Sequence, residues 1–126
     1  MTAASARLKR QRNQRHGIWA EYLALAYLTC KGYRFITSRY KTRLGEIDLI
    51  VRRGRTLVFV EVKARAKRDD AAFAVHARNQ SRVVRASQLF MATHPVYQSY
   101  QVRFDVMLIA WYRKPHHLVH AFESPI

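Results

Sequence analysis

The chain has 126 residues, and its 23 Lys and Arg residues outnumber its 8 Asp and Glu residues, which gives a formal net charge of +15. This length suits one domain, and no apolar run is long enough for a membrane span. The charge surplus indicates a polyanionic partner such as nucleic acid. The single cysteine, Cys30, cannot form an internal disulfide, which is typical of a cytoplasmic protein.

Residues 1–16 form a basic segment that contains serine and arginine but no acid. It lacks the apolar core of a secretory signal, so we expect a disordered basic arm that lies on phosphates. An organellar transit peptide is the alternative interpretation. Residues 17–126 are expected to form a single domain, because no linker, repeat or low-complexity tract interrupts them.

The periodicity predicts the element order α-β-β-β-α-β-β, an α/β fold with a mixed sheet flanked by helices. Gly32 follows the first helical pattern at the position of a C-terminal cap. Pro95 ends the second helical pattern. The predicted elements are a helix over 18–31, strands over 33–39, 45–51 and 58–63, a helix over 81–93, and strands over 102–111 and 118–122.

Acidic side chains and one lysine are expected on one face of the hairpin formed by 45–51 and 58–63. Side chains alternate across a strand, so Glu46 and Asp48 share a face of the first strand. Glu61 and Lys63 share a face of the second strand for the same reason. The expected hairpin therefore gathers three carboxylates and an amine.

A loop centred on Arg53-Gly54 would place Asp48 opposite Phe59 and make it a diagonal neighbour of Glu61. Like charges so placed repel one another unless a cation lies between them or the strands splay apart. A divalent cation is the simplest explanation, and hard oxygen ligands favour Mg²⁺ or Mn²⁺. A solvent-facing strand edge with Glu-Lys pairing is the alternative.

Lys63 is the candidate for the chemical step. It could orient or deprotonate an attacking water, or neutralise the charge that develops on a phosphate in the transition state. The histidines show no metal-ligand spacing, and no glycine-rich phosphate loop is present. Asp105, beside Arg103, is expected to serve structure.

These motifs together resemble the YraN-like family of predicted bacterial endonucleases. That family belongs to the PD-(D/E)-x-K nuclease superfamily and is similar to archaeal Holliday junction resolvases. The resemblance covers roughly residues 16–122. The motifs that carry it are Ala20-Glu21-x-x-Ala24, Gly45-Glu46-Ile47-Asp48-Leu49-Ile50, Phe59-Val60-Glu61-Val62-Lys63-x-Arg65 and Arg103-Phe104-Asp105-Val106.

The resemblance implies a restriction-endonuclease-like fold and Mg²⁺- or Mn²⁺-dependent hydrolysis of DNA, with branched or junction DNA among the candidate substrates. It implies that Asp48 and Glu61 hold the metal, that Lys63 is the catalytic lysine, and that Glu21 is the acid that the first helix contributes. Glu21 interrupts an apolar stripe of that helix, so a buried salt bridge, for example to Lys63, is its alternative role. The sequence departs from the family pattern where Asn79 replaces a basic residue.

Basic residues near these motifs are candidates for contacts with nucleic acid, DNA more than RNA. They lie in a turn, in the loop after the hairpin and on the second helix, and are Arg43, Arg65, Lys67, Arg68 and Arg82. The alternative function is that of a catalytically silent nucleic-acid-binding protein that keeps the fold and the basic surface, which Asn79 favours. Whether a homodimer forms is left open.

Overall fold

The computed structural model describes residues 18–64, 77–110 and 114–122, without the side chains of residues 77–79. The first helix, α1, occupies residues 18–30. The other elements are β1 (Arg34–Lys41), β2 (Glu46–Arg53), β3 (Thr56–Ala64), α2 (Ala77–Thr93), a short 3-10 helix (Pro95–Tyr97), β4 (Gln101–Ile109) and β5 (His116–Phe122). The predicted order α-β-β-β-α-β-β is therefore confirmed. Within these ranges no helix is both long and apolar enough to cross a membrane.

The strands form one five-stranded mixed sheet in the order β1-β2-β3-β4-β5. Neighbouring strands are antiparallel except β3 and β4, which are parallel. A parallel pair needs a crossover between its strands, and α2 lies in that connection. This arrangement is the restriction-endonuclease-like α/β fold that the sequence predicts, and it places β3 at the centre of the sheet.

Each face of the sheet is covered by one helix. Ala20, Ala24 and Leu28 of α1 are buried against one face, with Leu49, Val51, Val58 and Val60 of the hairpin. Val83, Ala86 and Phe90 of α2 are buried against the other face, with Ile50, Leu57 and Phe59. Because β3 is covered on both sides, its side chains from Leu57 to Val60 have no solvent exposure.

The hairpin register differs from the expected one by two residues. Arg53 pairs with Thr56 and Ile50 pairs with Phe59, so the loop is Gly54-Arg55 rather than Arg53-Gly54. Gly54 has φ of +61° at the first loop position, where a type II′ turn requires glycine. A shift of two residues preserves the alternation of side chains, so Glu61 and Asp48 are still directed toward one end of the α2 face.

The alternation of β2 breaks at Asp48. Ile47 packs with the core residues buried against α2, which we call the α2 cluster, whereas Leu49 packs with those buried against α1, the α1 cluster. The expectation that Ile47 and Leu49 share a face is therefore wrong. The break coincides with an irregular residue on β1, because Arg39 has φ of +53° and lies between Ser38 and Tyr40, which pair with Leu49 and Ile47. The side chains at the start of β2 thus do not alternate regularly between the two faces of the sheet.

Asp105 is buried beneath α1, and its carboxylate ties β4 to β5. It accepts two hydrogen bonds from Arg103, at 2.9 and 2.8 Å, one from His117 at 2.6 Å and one from the His120 N–H at 3.0 Å. Burial alone would raise its pKa, but these donors outweigh burial and bring the pKa down to about 2. The structural role expected for Asp105 agrees with these contacts.

Candidate active site

The ends of β2 and β3 farthest from the hairpin turn open into a cleft of about 250 Å³ beside α2. The strands supply acids and an amine, and the helix supplies an arginine residue. The described residues that line the cleft are Glu46, Asp48, Glu61, Val62, Lys63, Arg82 and Val83. The structure therefore brings Arg82 of α2 together with Asp48 of β2 and with Glu61 and Lys63 of β3.

Asp48 ends the pairing between β2 and β3. The ladder stops at Leu49 and Val60, and the Val62 N–H donates to Asp48 Oδ2 at 2.8 Å instead of to a backbone carbonyl of β2. The Asp48 carboxylate thus takes the place of a main-chain acceptor between the two strands. The two strands therefore part at this end, although the negative charge of Glu61 still acts on Asp48.

Burial raises the pKa of Asp48 to about 6, against the hydrogen bond from the Val62 N–H. The negative charges of Glu21, Glu61 and Glu46 act in the same direction as burial. The carboxylate is therefore poorly stabilised as an anion by the protein alone. A positive charge placed beside it would reverse that effect.

Glu61 is buried, and only one of its oxygens has a partner in the part of the chain that the structure describes. Lys63 Nζ lies 3.0 Å from Glu61 Oε1, with side-chain exposures of 18% for Lys63 and 10% for Glu61. Glu61 Oε2 is buried and accepts no hydrogen bond within the described residues. A buried, unsatisfied carboxylate oxygen is costly, so the site has an unfilled requirement for a donor or a cation.

Arg82 reaches the cleft from the first half of α2. Its residue is exposed, and its neighbour Val83 is buried in the α2 cluster. Arg82 follows Asn79 by three positions, which is about one turn of the helix. Arg82 is therefore the described basic residue that α2 contributes to the lining of this cleft.

Glu21 lies outside the lining of the cleft. It pairs with Arg39, whose Nε donates to Glu21 Oε2 at 3.0 Å, and not with Lys63. Glu21 lines a second hollow on the α1 side with Tyr22, Leu25 and Phe35. Its charge still reaches Asp48, since it contributes to the raised pKa of that carboxyl.

Arg43 is exposed at the tip of the turn between β1 and β2. Thr42 closes that turn, because its hydroxyl accepts hydrogen bonds from the Leu44 N–H at 3.1 Å and the Gly45 N–H at 3.0 Å. Arg65, Lys67 and Arg68 lie outside the described residues. So does the basic segment 1–16.

Glu46 also lines the cleft, although its role was left unassigned from the sequence. The sequence could have identified Glu46 as a cleft residue, because it lies two positions before Asp48 in the same strand and side chains two apart share a face.

The residues present suit a hard divalent cation. Asp48 and Glu61 offer carboxylate oxygens in one cleft, and the buried Glu61 Oε2 has no other described partner. No group of three or more His, Cys, Asp or Glu side chains within the described ranges meets the geometry of a complete metal site. Mg²⁺ matches this donor set, since it binds through one or two carboxylates and completes its shell with waters and substrate phosphate.

The family model described as "Uncharacterised protein family UPF0102" matches residues 20–109. The chain belongs to the UPF0102 family. UPF0102 is the YraN-like family in the PD-(D/E)-x-K nuclease superfamily, so the resemblance seen in the sequence is confirmed. The matched range includes every described cleft residue.

Several UPF0102 relatives are similar over most of their length. A UPF0102 protein of Rhodopseudomonas palustris (strain BisB18) is 51% identical over 110 residues, which cover 87% of this chain and 82% of the relative. A UPF0102 protein of Nitrobacter winogradskyi is 48% identical over 86% of this chain and 92% of its own. UPF0102 protein bll0669 of Bradyrhizobium diazoefficiens is 50% identical over 87% of this chain and 83% of its own.

Proposed function

We propose that this UPF0102 protein is a metal-dependent endonuclease that hydrolyses phosphodiester bonds in DNA. The observation that carries the proposal is the state of Glu61, whose Oε2 is buried without a described partner while Oε1 is paired with Lys63. A cleft built only for stability would satisfy both oxygens. Glu61 instead keeps one oxygen available beside Asp48.

The cleft residues divide the work of hydrolysis. Asp48 and Glu61 would hold Mg²⁺ or Mn²⁺, which when bound lowers the pKa of a coordinated water and polarises the phosphate. Lys63 Nζ, held by Glu61, would orient the attacking water as an ammonium, and would accept the water's proton only as a neutral amine after releasing its own. Arg82 is placed to bind a phosphate oxygen and to stabilise the charge that develops on it.

The positive charge of the molecule outside the cleft suits DNA as the substrate. The chain carries a formal net charge of +15, yet three of its 8 acidic residues, Glu46, Asp48 and Glu61, line one cleft. Acids concentrated at one place in a basic protein match the needs of a metal site on a polyanion-binding surface. A junction or another branched DNA is the substrate class that the likeness to Holliday junction resolvases favours.

The test is a cleavage assay on linear, flapped and four-way-junction DNA and on RNA, with Mg²⁺ or Mn²⁺ and with EDTA. Lys63→Ala should lose cleavage by on the order of 10²-fold or more while binding DNA as tightly as the parent. Lys63→Arg keeps the ion pair with Glu61 but cannot give up its proton, so it separates a proton-transfer role from a purely electrostatic one. Lys114→Ala, at an exposed lysine before β5, is the matched control.

The proposal fails if the parent cleaves none of these substrates with either metal. Salt-dependent DNA binding in that case would leave the catalytically silent binding protein as the function.

A further inference from the structure

A group of arginines surrounds the turn of the β2–β3 hairpin, at the opposite end of β2 from the cleft. We call this group the arginine end, and it consists of Arg34, Arg52, Arg53 and Arg55. Arg34 and Arg52 are directly paired across β1 and β2. Like charges in that position destabilise a sheet unless an anion lies over them.

No carboxylate neutralises the arginine end within the described residues. The ion pairs within the described residues do not include any of these four arginines, and all five described acids lie elsewhere in the fold. Glu46, Asp48 and Glu61 line the cleft, Glu21 is paired with Arg39, and Asp105 is held by Arg103 and His117.

Aromatic rings hold two of these arginines in place. The Arg53 guanidinium lies 4.7 Å from the centre of the Tyr33 ring, and the Arg55 guanidinium lies 4.9 Å from the centre of the Tyr100 ring. Arg55 also donates to the Ser99 hydroxyl, and its carbonyl accepts from the Gln101 N–H at 2.9 Å. Stacking occupies the face of a guanidinium and leaves N–H groups on its rim directed outward. Both residues are exposed, so guanidinium N–H groups other than the one bound to Ser99 are accessible from solvent.

The arginine end is separated from the cleft by most of the length of β2. Arg53 follows Asp48 by five positions, which corresponds to roughly 17 Å at about 3.4 Å per residue. That distance is about five base pairs of B-form DNA, at roughly 3.4 Å per base pair. A duplex of about five base pairs spans that length along the strand direction, and Arg53 lies over Tyr33, which belongs to the core on the α1 side of the sheet.

We propose that the arginine end is a second contact surface for the phosphates of duplex DNA, distinct from the cleft. It rests on the proposed function in that DNA is the ligand of both surfaces. Guanidinium rims bind phosphate oxygens in a bidentate manner and read no base sequence. The arginine end therefore contributes affinity and orientation, and the cleft contributes the chemistry.

The experiment measures DNA affinity in EDTA, where no cleavage occurs, as a function of salt concentration. The probe is a fluorescent four-way junction with duplex arms longer than one helical turn. The double variant Arg53→Gln/Arg55→Gln should lower the slope of log affinity against log salt by about 2, since each phosphate contact contributes about 0.9. Arg53→Lys/Arg55→Lys keeps the charge and should restore most of the slope.

Two further variants keep the result interpretable. Arg34→Gln removes an exposed charge of the same surface and should lower the slope by about 1 even if the double variant does not fold. Lys114→Gln removes one positive charge elsewhere and should leave the slope unchanged. Thermal unfolding by circular dichroism checks that each variant is folded.

Three outcomes overturn the proposal. An unchanged slope in both Arg34→Gln and the folded double variant, with normal DNA binding by the parent, shows that the inference alone fails. Absence of DNA binding by the parent removes the inference together with the proposed function. Binding of the parent to phosphatidylserine vesicles that the arginine variants lose, with DNA affinity unchanged, assigns the surface to an anionic membrane instead.

Discussion

The α-carbon of Gly45 lies against the main chain of Arg82. A Cβ at residue 45 would overlap the Arg82 carbonyl and lie 2.7 Å from its carbonyl carbon and 2.9 Å from its Cα. This contact joins the start of β2 to the first half of α2. It brings the helix that carries Arg82 close to the strand that carries Asp48, so the glycine sets the width of the cleft.

We therefore expect Gly45→Ala to push α2 away from β2 and to impair cleavage through the position of Arg82. The overpacking should cost about 1–3 kcal/mol of stability. Gly54→Ala is the matched control, because Gly54 has positive φ and no atom of the described residues lies within 4 Å of an added Cβ. It should cost about 1 kcal/mol through backbone strain alone and leave cleavage by the folded protein unchanged. Denaturation curves and single-turnover rates measure both effects, and equal rates in the two variants would contradict the role of Gly45.

In metal-free buffer, Asp48→Asn should make the protein more stable at pH 7. The folded state raises the pKa of Asp48 from 3.8 to about 6. The parent therefore loses stability as the pH rises from about 4 to about 6, by up to about 3 kcal/mol. The asparagine variant lacks this loss, so the two proteins should converge near pH 4. Urea denaturation in EDTA measures the difference, and a less stable variant at pH 7 would contradict the prediction.

Metal affinity should depend on the same carboxyl. Protons compete with Mn²⁺ for Asp48, so affinity should be nearly constant above about pH 7 and fall about tenfold for each unit below about pH 6. Calorimetry or Mn²⁺-induced broadening of resonances follows this dependence. Glu61→Gln should weaken Mn²⁺ binding at every pH. A constant affinity between about pH 5 and pH 7 would exclude Asp48 as a ligand.

Asp105→Asn should destabilise the fold strongly without a direct effect on the cleft. It leaves the half-buried Arg103 without its carboxylate, which costs up to about 3 kcal/mol. Since the pKa of Asp105 is lowered to about 2, its contribution is present above pH 4 or so and is lost as the pH falls toward 2. Glu21→Gln is the control for loss of an ion pair at the surface, where about 1 kcal/mol or less is at stake. Guanidinium denaturation at neutral and acid pH separates the two, and similar losses in both variants would contradict the assignment.

The sequence predicted much of the cleft because it depends on local alternation. Asp48, Glu61 and Lys63 were expected to share a face, and all three line the cleft. The register was wrong by two residues because composition does not show which of the residues in Arg53-Gly54-Arg55 begins the loop. A shift of two residues in the pairing of β2 with β3 leaves each side chain of β3 on its expected face. Asp48 and Glu61 therefore still line the same cleft.

The remaining features depend on distant contacts that periodicity does not encode. The change of face at Ile47 coincides with the irregular backbone at Arg39, which also provides the partner of Glu21. The packing of Gly45 on Arg82 places a helix residue within the cleft across 37 positions of the sequence. Such contacts arise from tertiary packing, which overrides local preference.

Under the proposed function, the charges of the cleft would set the order in which the metal and DNA bind. With Glu46, Asp48 and Glu61 ionised, Lys63 and Arg82 leave the cleft with one net negative charge. One divalent cation reverses that sign and makes the cleft attractive to a phosphate. The metal would then be required for DNA to bind in the cleft, as well as for the chemical step. DNA would lie on the outer basic surfaces in its absence and enter the cleft only when the metal is bound.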